Sequence, residues 1–381
     1  MNAYTSQPIL ISCGEYSGDI LAADLIDVLN QHQIKQGLSP LNFFGVTGPQ
    51  LKKRGVQNIA DMNSLTMMGV FEIIERGYHI SVIEDLLLQE AKRLGTKLAI
   101  LTDFPGFHIR IGQKLRSMGI FVIQYIAPKI WAWGEYRKHA IQKSFDVILG
   151  IFPFEIEYFH LLKIPYIYAG FTHAHRLNQV MPLLVAPPEF TQVCMLLGSR
   201  TSEIKRLHSS FKQIIALAAL SNLKWKFVIP VAKNQPYKDT CELMLGGLTE
   251  LEQSMIIFKH GYSLDIMKAS RVAIVASGTA TLECAYLQTP QIAVYAMNPL
   301  TFWLAKKIVK IKHVSLPNIL AGREIIPEYL QDLKPQVLLE NLIELSKDRG
   351  SRQQQLGHLK DLRLTLTQNE DIPHILEDLF S

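Results

Sequence analysis

The stretch Val272 to Arg323 reads VAIVASGTATLECAYLQTPQIAVYAMNPLTFWLAKKIVKIKHVSLPNILAGR, and its opening decides the fold. Val272–Ala276 is a short apolar run, Ser277-Gly278-Thr279 breaks it, and Leu282, Ala285 and Tyr286 then recur at helical spacing. The pattern predicts a strand, a tight turn and a helix start. The turn is open to two readings. It is a plain helix cap, or it is an anion site, because a helix N-terminus exposes unpaired N–H groups and the positive end of its dipole, which suit a diphosphate. On the second reading Glu283, one turn further in, accepts hydrogen bonds from ribose hydroxyls.

Working outward, the same grammar recurs. Gln192–Leu197 reads as a strand closed by Gly198-Ser199-Arg200, ahead of a helix with Ile204, Leu207, Phe211, Ile214 and Ile215 on one face. The turn adds an arginine whose planar fork matches phosphate oxygens. Further strands are expected at Trp225–Pro230, Met255–Phe258 and Arg271–Val275, with helices around Tyr237–Leu251 and Leu264–Lys268. This alternation describes a Rossmann-like unit. Thr301–Ile311 sets Phe302, Leu304, Ile308 and Val309 against Lys306, Lys307 and Lys310, a cationic amphipathic helix that is a solvated face or a contact for anionic head groups.

The amino-terminal half repeats the alternation. Pro8–Cys13 is a strand, interrupted by Gly14-Glu15-Tyr16-Ser17-Gly18-Asp19 before a helix carrying Leu21, Leu25, Val28 and Leu29. The loop matches only part of a dinucleotide fingerprint, with no G-x-G-x-x-G, so a tight turn with Asp19 as cap is an equal reading. Phe43–Val46 is a second strand. The apolar run Leu65–Ile74 is a buried helix or an exposed patch for lipid or a partner. Lys97–Thr102 is a strand with Asp103 at its carboxyl end, the edge that faces the ligand crevice in open parallel sheets, so Asp103 is a candidate base or else a turn residue. Strands at Phe121–Ile126, Val147–Ile151 and Tyr166–Ala169 and helices at Glu135–Lys143 and Phe154–Leu162 complete this half. Trp131 and Trp133 pack the core or border a ligand path. A proline-bearing stretch follows Gly170.

The chain of 381 residues is longer than one core usually organises, so two domains are expected: 1–170, a linker 171–190, and 191–334, with helices over 335–381. Hydrophobic residues are 48% and charged residues 19%, with mean hydropathy +0.12, yet no run approaches a membrane span. The amino terminus lacks a basic n-region, so no secretory signal is expected. Cys13, Cys194, Cys241 and Cys284 have no paired spacing, against a disulfide framework or zinc site and in favour of a reducing cytoplasm. Net charge is +5, too modest to imply nucleic acid.

Several motifs, taken together, resemble the lipid-A-disaccharide synthase family: GEYSGD (Gly14–Asp19), GVTGPQL (Gly45–Leu51), MGVFEII (Met68–Ile74), the PKIWAW block (Pro128–Trp133), FPFE (Phe152–Glu155), LLGSR (Leu196–Arg200), SGTATLE, NPLTFWLAKKIVK and VSLPNILAGRE. They fall in family order over nearly the whole chain. The resemblance implies an α/β fold of the GT-B kind: two Rossmann-like domains with parallel sheets facing a cleft, and C-terminal helices crossing back, as part of a swapped homodimer. It implies an inverting glycosyltransfer from UDP-2,3-diacylglucosamine to 2,3-diacylglucosamine 1-phosphate (lipid X), on the cytoplasmic leaflet of the inner membrane. It places Glu15, Ser17, Asn318 and Arg323 in the substrate cleft, gives Met67, Met68, Val70 and Phe71 to membrane or acyl contact, and matches Asp103 to the proposed catalytic aspartate. The family usually reads Asp-x-Pro-Asp-Phe-Asn there, whereas this chain has Gly106 and His108 at the last polar positions.

A single-displacement transfer needs a base on one face of the donor sugar, here Asp103. The opposite face needs fixed positive charge for the departing UDP, here Arg200 and the N–H groups around Gly198, Ser199, Ser277, Gly278 and Thr279. No Asp-x-Asp pair occurs, so neither a metal nor another cofactor is expected. Two other classes remain in view: a nucleotide-dependent oxidoreductase or epimerase, and a non-catalytic lipid or sugar-nucleotide binder.

Overall fold

The structure, a computed structural model, describes residues 6–66, 73–171, 173–198, 200–233, 235–276, 278–298, 312–367 and 372–380. The chain divides into two compact units: Met1–His173 with Thr367–Ser381, and Ala174–Leu366.

In unit 1 the strands are β1 (Ile9–Cys13), β2 (Phe43–Thr47), β3 (Gln57–Asp61), β4 (Leu98–Thr102), β5 (Phe121–Tyr125), β6 (Val147–Gly150) and β7 (Tyr166–Tyr168). They form one parallel sheet in the order β3-β2-β1-β4-β5-β6-β7. Every residue of β1, β2 and β4 is buried, and the strands are apolar but for Ser12, Thr47 and Thr102 rather than alternating, as in parallel sheets covered on both faces. The covering helix Tyr16–Lys35 buries Leu21, Leu25 and Leu29, as the helical spacing requires.

In unit 2 the strands are β8 (Thr191–Leu196), β9 (Trp225–Val231), β10 (Ile256–His260), β11 (Val272–Ala276), β12 (Gln291–Tyr295) and β13 (Glu328–Leu330). Their order is β10-β9-β8-β11-β12-β13, again parallel. The helix Thr201–Leu220 buries Ile204, Leu207, Phe211, Ile214 and Ile215 against this sheet. In each sheet the chain moves outward from one central strand and then returns to that strand's other side. The reversal falls between β1 and β4 in one unit and between β8 and β11 in the other, and such switch points are where open α/β sheets bind ligands.

Several expectations are revised by the packing. The stretch read as linker holds a helix, His173–Asn178, with Ala174 and Leu177 buried. Beyond it the Gln192 side chain accepts from the N–H groups of Val185 and Ala186 and donates to the carbonyl of Leu183, an amide doing for this proline-bearing stretch what a ladder does for a strand. The helix expected over Tyr237–Leu251 is two, Tyr237–Leu245 and Glu250–Ser254, parted by Gly246-Gly247 and restarted by a Thr249–Glu252 capping box. Of the C-terminal helices, Pro335–Ser346 buries Leu338, Leu339, Leu342 and Leu345 in the core of unit 2, and Ser351–Thr367 lies mostly in that unit. Only Ile372–Phe380 returns to unit 1, where its Glu377 accepts from His32 in the last turn of the helix Tyr16–Lys35 and from Gln36 just beyond it. Met67, Met68, Val70, Phe71 and the expected helix Thr301–Ile311 lie outside the described residues. Among the described residues no helix is long and apolar enough to cross a membrane.

Candidate active site

Parallel pairing of β1 with β4 matches Cys13 to Thr102, so the first residues beyond them, Gly14 and Asp103, stand side by side at the switch point of unit 1. A Cβ on Gly18 would lie 3.7 Å from that of Asp103, so the first turn of the helix Tyr16–Lys35 rests against the aspartate. Glu15, Ser17 and Asp103 are all half-buried there. Of the residues nominated from sequence in this unit, Glu15, Ser17 and Asp103 are therefore brought together at one sheet edge. Asp19 is not. It is fully buried and accepts from the N–H groups of Gly48, Gln50 and Leu51, capping the helix Pro49–Lys53 rather than its own.

The backbone at this edge is strained. Asp103 has φ 54°, Phe104 φ 45° and, at the end of β5, Ile126 has φ 69°. Non-glycine residues in the left-handed region cost on the order of 1 kcal/mol or more each and persist only where their surroundings hold them. Here the Asp103 carbonyl accepts from His108 Nδ1 at 2.6 Å and from Gln124 Nε2 at 3.1 Å, while the Asp103 N–H donates to Tyr125 at 3.0 Å. The ring of Phe104 fits because Gly14 lacks a side chain, whose Cβ would fall 2.2 Å from it.

A second buried group lies further along the sheet. Glu155 of FPFE is 1% exposed, takes a hydrogen bond from Trp131 Nε1 at 2.9 Å, and has Oε2 3.0 Å from the Tyr166 hydroxyl. That hydroxyl also lies 2.9 Å from the Phe152 carbonyl, which can only accept. Glu155 thus shares the Tyr166 hydroxyl proton with the Phe152 carbonyl, and its burial favours the neutral acid. Burial pushes its carboxyl up to about 8, against the lowering effect of the Trp131 and Tyr166 contacts. Trp131 is thereby a packing and hydrogen-bonding residue, edge-on to Phe154 at 5.1 Å. Because the folded pKa exceeds the ordinary 4.5, the unfolded chain loses its proton first as pH rises. Stability is fully present below about pH 4.5 and is lost as pH climbs through 8, by roughly a few kcal/mol in all. Glu155→Gln, which keeps one acceptor and one donor, is expected to gain in melting temperature relative to the parent between pH 5 and pH 9. A constant difference across that range would contradict the neutral acid.

In unit 2, Val275 pairs with Leu196, which sets the turns after β8 and β11 next to each other at the switch point. Gly278 is exposed, and among the described residues an added Cβ there would meet nothing within 4 Å and no side chain caps the helix Thr279–Tyr286. Open space above uncapped N–H groups is what an anion requires. The turn at Gly198 differs. Gly198 has φ 103°, and the Glu203 carboxylate reaches back to the Arg200 N–H at 3.3 Å, closing off the space a Gly198 side chain would fill. The Arg200 guanidinium is 62% exposed and 3.9 Å from that carboxylate. Ser199 and Ser277 lie outside the described residues.

Glu283 is paired with Arg176 at 3.0 Å, a partner 107 residues away that the sequence did not single out. Asn318 and Arg323 do not form a site together. Asn318 is fully buried, its Oδ1 accepts from Ile325 and Ile326, and its Nδ2 donates to Ile326 and Glu328, so all its hydrogen-bonding capacity serves the loop. Arg323 is exposed and donates to His358 Nε2. Among the described residues no group of three or more His, Cys, Asp or Glu gathers in a way that could hold a metal ion.

Residues 9–372 match the family described as Lipid-A-disaccharide synthetase. A lipid-A-disaccharide synthase of Anaeromyxobacter dehalogenans is 33% identical over 364 residues, covering 94% of this chain and 93% of that one. In overall fold the chain is similar to the GT-B glycosyltransferase MurG of Acinetobacter baumannii (TM-score 0.55, 14% identity, 97% of each chain). It is also similar to UDP-GlcNAc 2-epimerase of Neisseria meningitidis bound to UDP-GlcNAc (TM-score 0.62, 13% identity, 98% and 99% of the two chains).

Proposed function

Because this chain belongs to the lipid-A-disaccharide synthase family, glycosyltransferases that join lipid A precursors and a UDP-sugar into the lipid A disaccharide, we propose the following reaction for it. The donor is UDP-2,3-diacylglucosamine and the acceptor is 2,3-diacylglucosamine 1-phosphate. The acceptor 6-hydroxyl attacks the anomeric carbon, its proton passes to Asp103, and the bond from that carbon to the diphosphate breaks with its electron pair leaving on UDP. One displacement inverts the anomeric centre and gives the β-1,6 linkage. Arg200 and the N–H groups at Gly278 and Thr279 take the growing charge on the diphosphate, and Glu283, held by Arg176, orients the ribose.

The observation that carries this reading is that the nominated base and the nominated diphosphate turns each lie at the switch point of their own parallel sheet, beyond the carboxyl ends of the central strands. Incubating the purified protein with both lipids and separating the products by thin-layer chromatography tests it. Disaccharide 1-phosphate and UDP in equal amounts are expected; no product would leave a binder without catalysis. The diphosphate is neutralised on this reading by arginine and backbone N–H groups, so the rate with excess chelator is expected to equal the rate without it. A loss restored by added Mg2+ would contradict this.

The enzyme acts at the cytoplasmic leaflet as a peripheral homodimer, with Met67, Met68, Val70 and Phe71 meeting acyl chains. The apolar run in the sequence that contains them supports this.

A further inference from the structure

The residues beneath Asp103 carry an inference about how that side chain is aimed. His108 and Gln124 are both 0% exposed, and both donate to one acceptor, the Asp103 carbonyl. A carbonyl has no proton to give, so the His108 hydrogen sits on Nδ1. Burial depresses the imidazole pKa to about 4 and keeps the ring neutral, which leaves a lone pair on Nε2 to accept from the Ser12 hydroxyl at 3.0 Å. The ring is thus a strut from the interior of β1 to the left-handed turn after β4. Gln124 acts from the neighbouring strand, its Nε2 lying within 3.4 Å of the carbonyls of Asp103, Tyr125 and Ile126. Three acceptors around one nitrogen fix the orientation of the amide. Each carbonyl it touches belongs to or adjoins a residue with positive φ.

We propose that His108, seconded by Gln124, is a positioning residue: by holding the Asp103 carbonyl it keeps that residue in the left-handed conformation that aims its carboxylate. The proposal rests on Asp103 being the base. His108 touches no substrate on this account. A small error in aim has a large effect on rate, since a displacement of about 1 Å can cost on the order of a hundredfold.

Two substitutions separate positioning from packing. An asparagine Nδ2 occupies the place of the imidazole Nδ1, and a glutamine Nε2 that of the imidazole Nε2. His108→Asn therefore keeps the bond to Asp103 and loses the one to Ser12, whereas His108→Gln does the reverse. Both remove the ring, and asparagine fills less of its space than glutamine, so a role in packing alone makes His108→Asn at least as impaired as His108→Gln. The expected result is that the conservative His108→Asn stays within about threefold of the parental kcat, while His108→Gln falls about thirtyfold or more with KM for the UDP-sugar unchanged. Equal kcat values for the two would overturn the proposal. Gln124→Met, which keeps length and loses the donor, is measured alongside in case His108→Gln does not fold. A fall in kcat of about tenfold at constant KM supports the proposal and an unchanged kcat opposes it. Asp103→Asn completes the set. If it is inactive while the two His108 variants agree, only positioning fails; if it turns over normally, the base assignment fails and the proposal with it.

Discussion

Asp103→Asn is expected to lower kcat by about a thousandfold, within the range of 10²–10⁴ that a lost general base commonly costs. The substitution suits the site. Asparagine tolerates the left-handed region as readily as aspartate, so φ 54° is no new burden. The bonds that hold the turn come from the Asp103 N–H and carbonyl and are untouched by a change of side chain. What disappears is the ability to receive the proton of the acceptor hydroxyl. KM for the UDP-sugar is expected to stay within about twofold, because the groups assigned to the diphosphate belong to unit 2. A variant with near-normal kcat would remove the base from Asp103.

Arg200→Ala is expected to weaken UDP binding and to raise KM for the donor by about ten- to a hundredfold, the worth of a charge-assisted bond to a phosphate. This side chain adds little to the packing of the fold. It is 62% exposed, and its contact with Glu203 at 3.9 Å is long and open to water, the kind of ion pair that contributes little. The melting temperature is therefore expected to match the parent, so the kinetic effect reads the chemistry directly. An unchanged KM would mean that the diphosphate is held at the Gly278 turn alone. The geometry gives a reason to examine Glu203 in the same experiments, since its carboxylate already occupies the Arg200 N–H and a diphosphate at this turn must displace it.

Every strand but β3, β12 and β13 could be read from sequence as a short, mainly apolar run between breaks. β1, β4, β8 and β11 are apolar but for Ser12, Thr102, Thr191 and Gln192, as central buried strands are, and each ends near a glycine or polar break. β3 and β13 lie at sheet edges, carry polar residues such as Gln57, Asn58 and Glu328, and leave no such signature. β12 is apolar but follows the turn that drew attention to the stretch, and was not separated from it. Asp103 could be nominated because a carboxylate at the carboxyl end of a buried parallel strand faces the ligand crevice, and the same position suits a turn residue equally. His108 was legible only as a departure from a family pattern. Its meaning depends on Ser12, 96 residues earlier, and on a left-handed turn that no local propensity forecasts. Asn318 shows the opposite failure. A polar residue in an apolar loop suggests a ligand, yet the same isolation suits an amide that closes its own loop, and its four hydrogen bonds decide for the second. Glu283 was singled out but not its partner, since nothing near Arg176 in sequence points 107 residues ahead.

In the proposed reaction one unit holds the nucleotide and the other supplies the base. This division is tested most directly by calorimetric titration of UDP into Asp103→Asn protein whose turnover has been measured in the same preparation. The expected result is a Kd within about twofold of the parent in protein that has lost about three orders of magnitude in rate. A Kd that weakens in step with the lost turnover would contradict it, placing Asp103 in nucleotide binding rather than proton transfer.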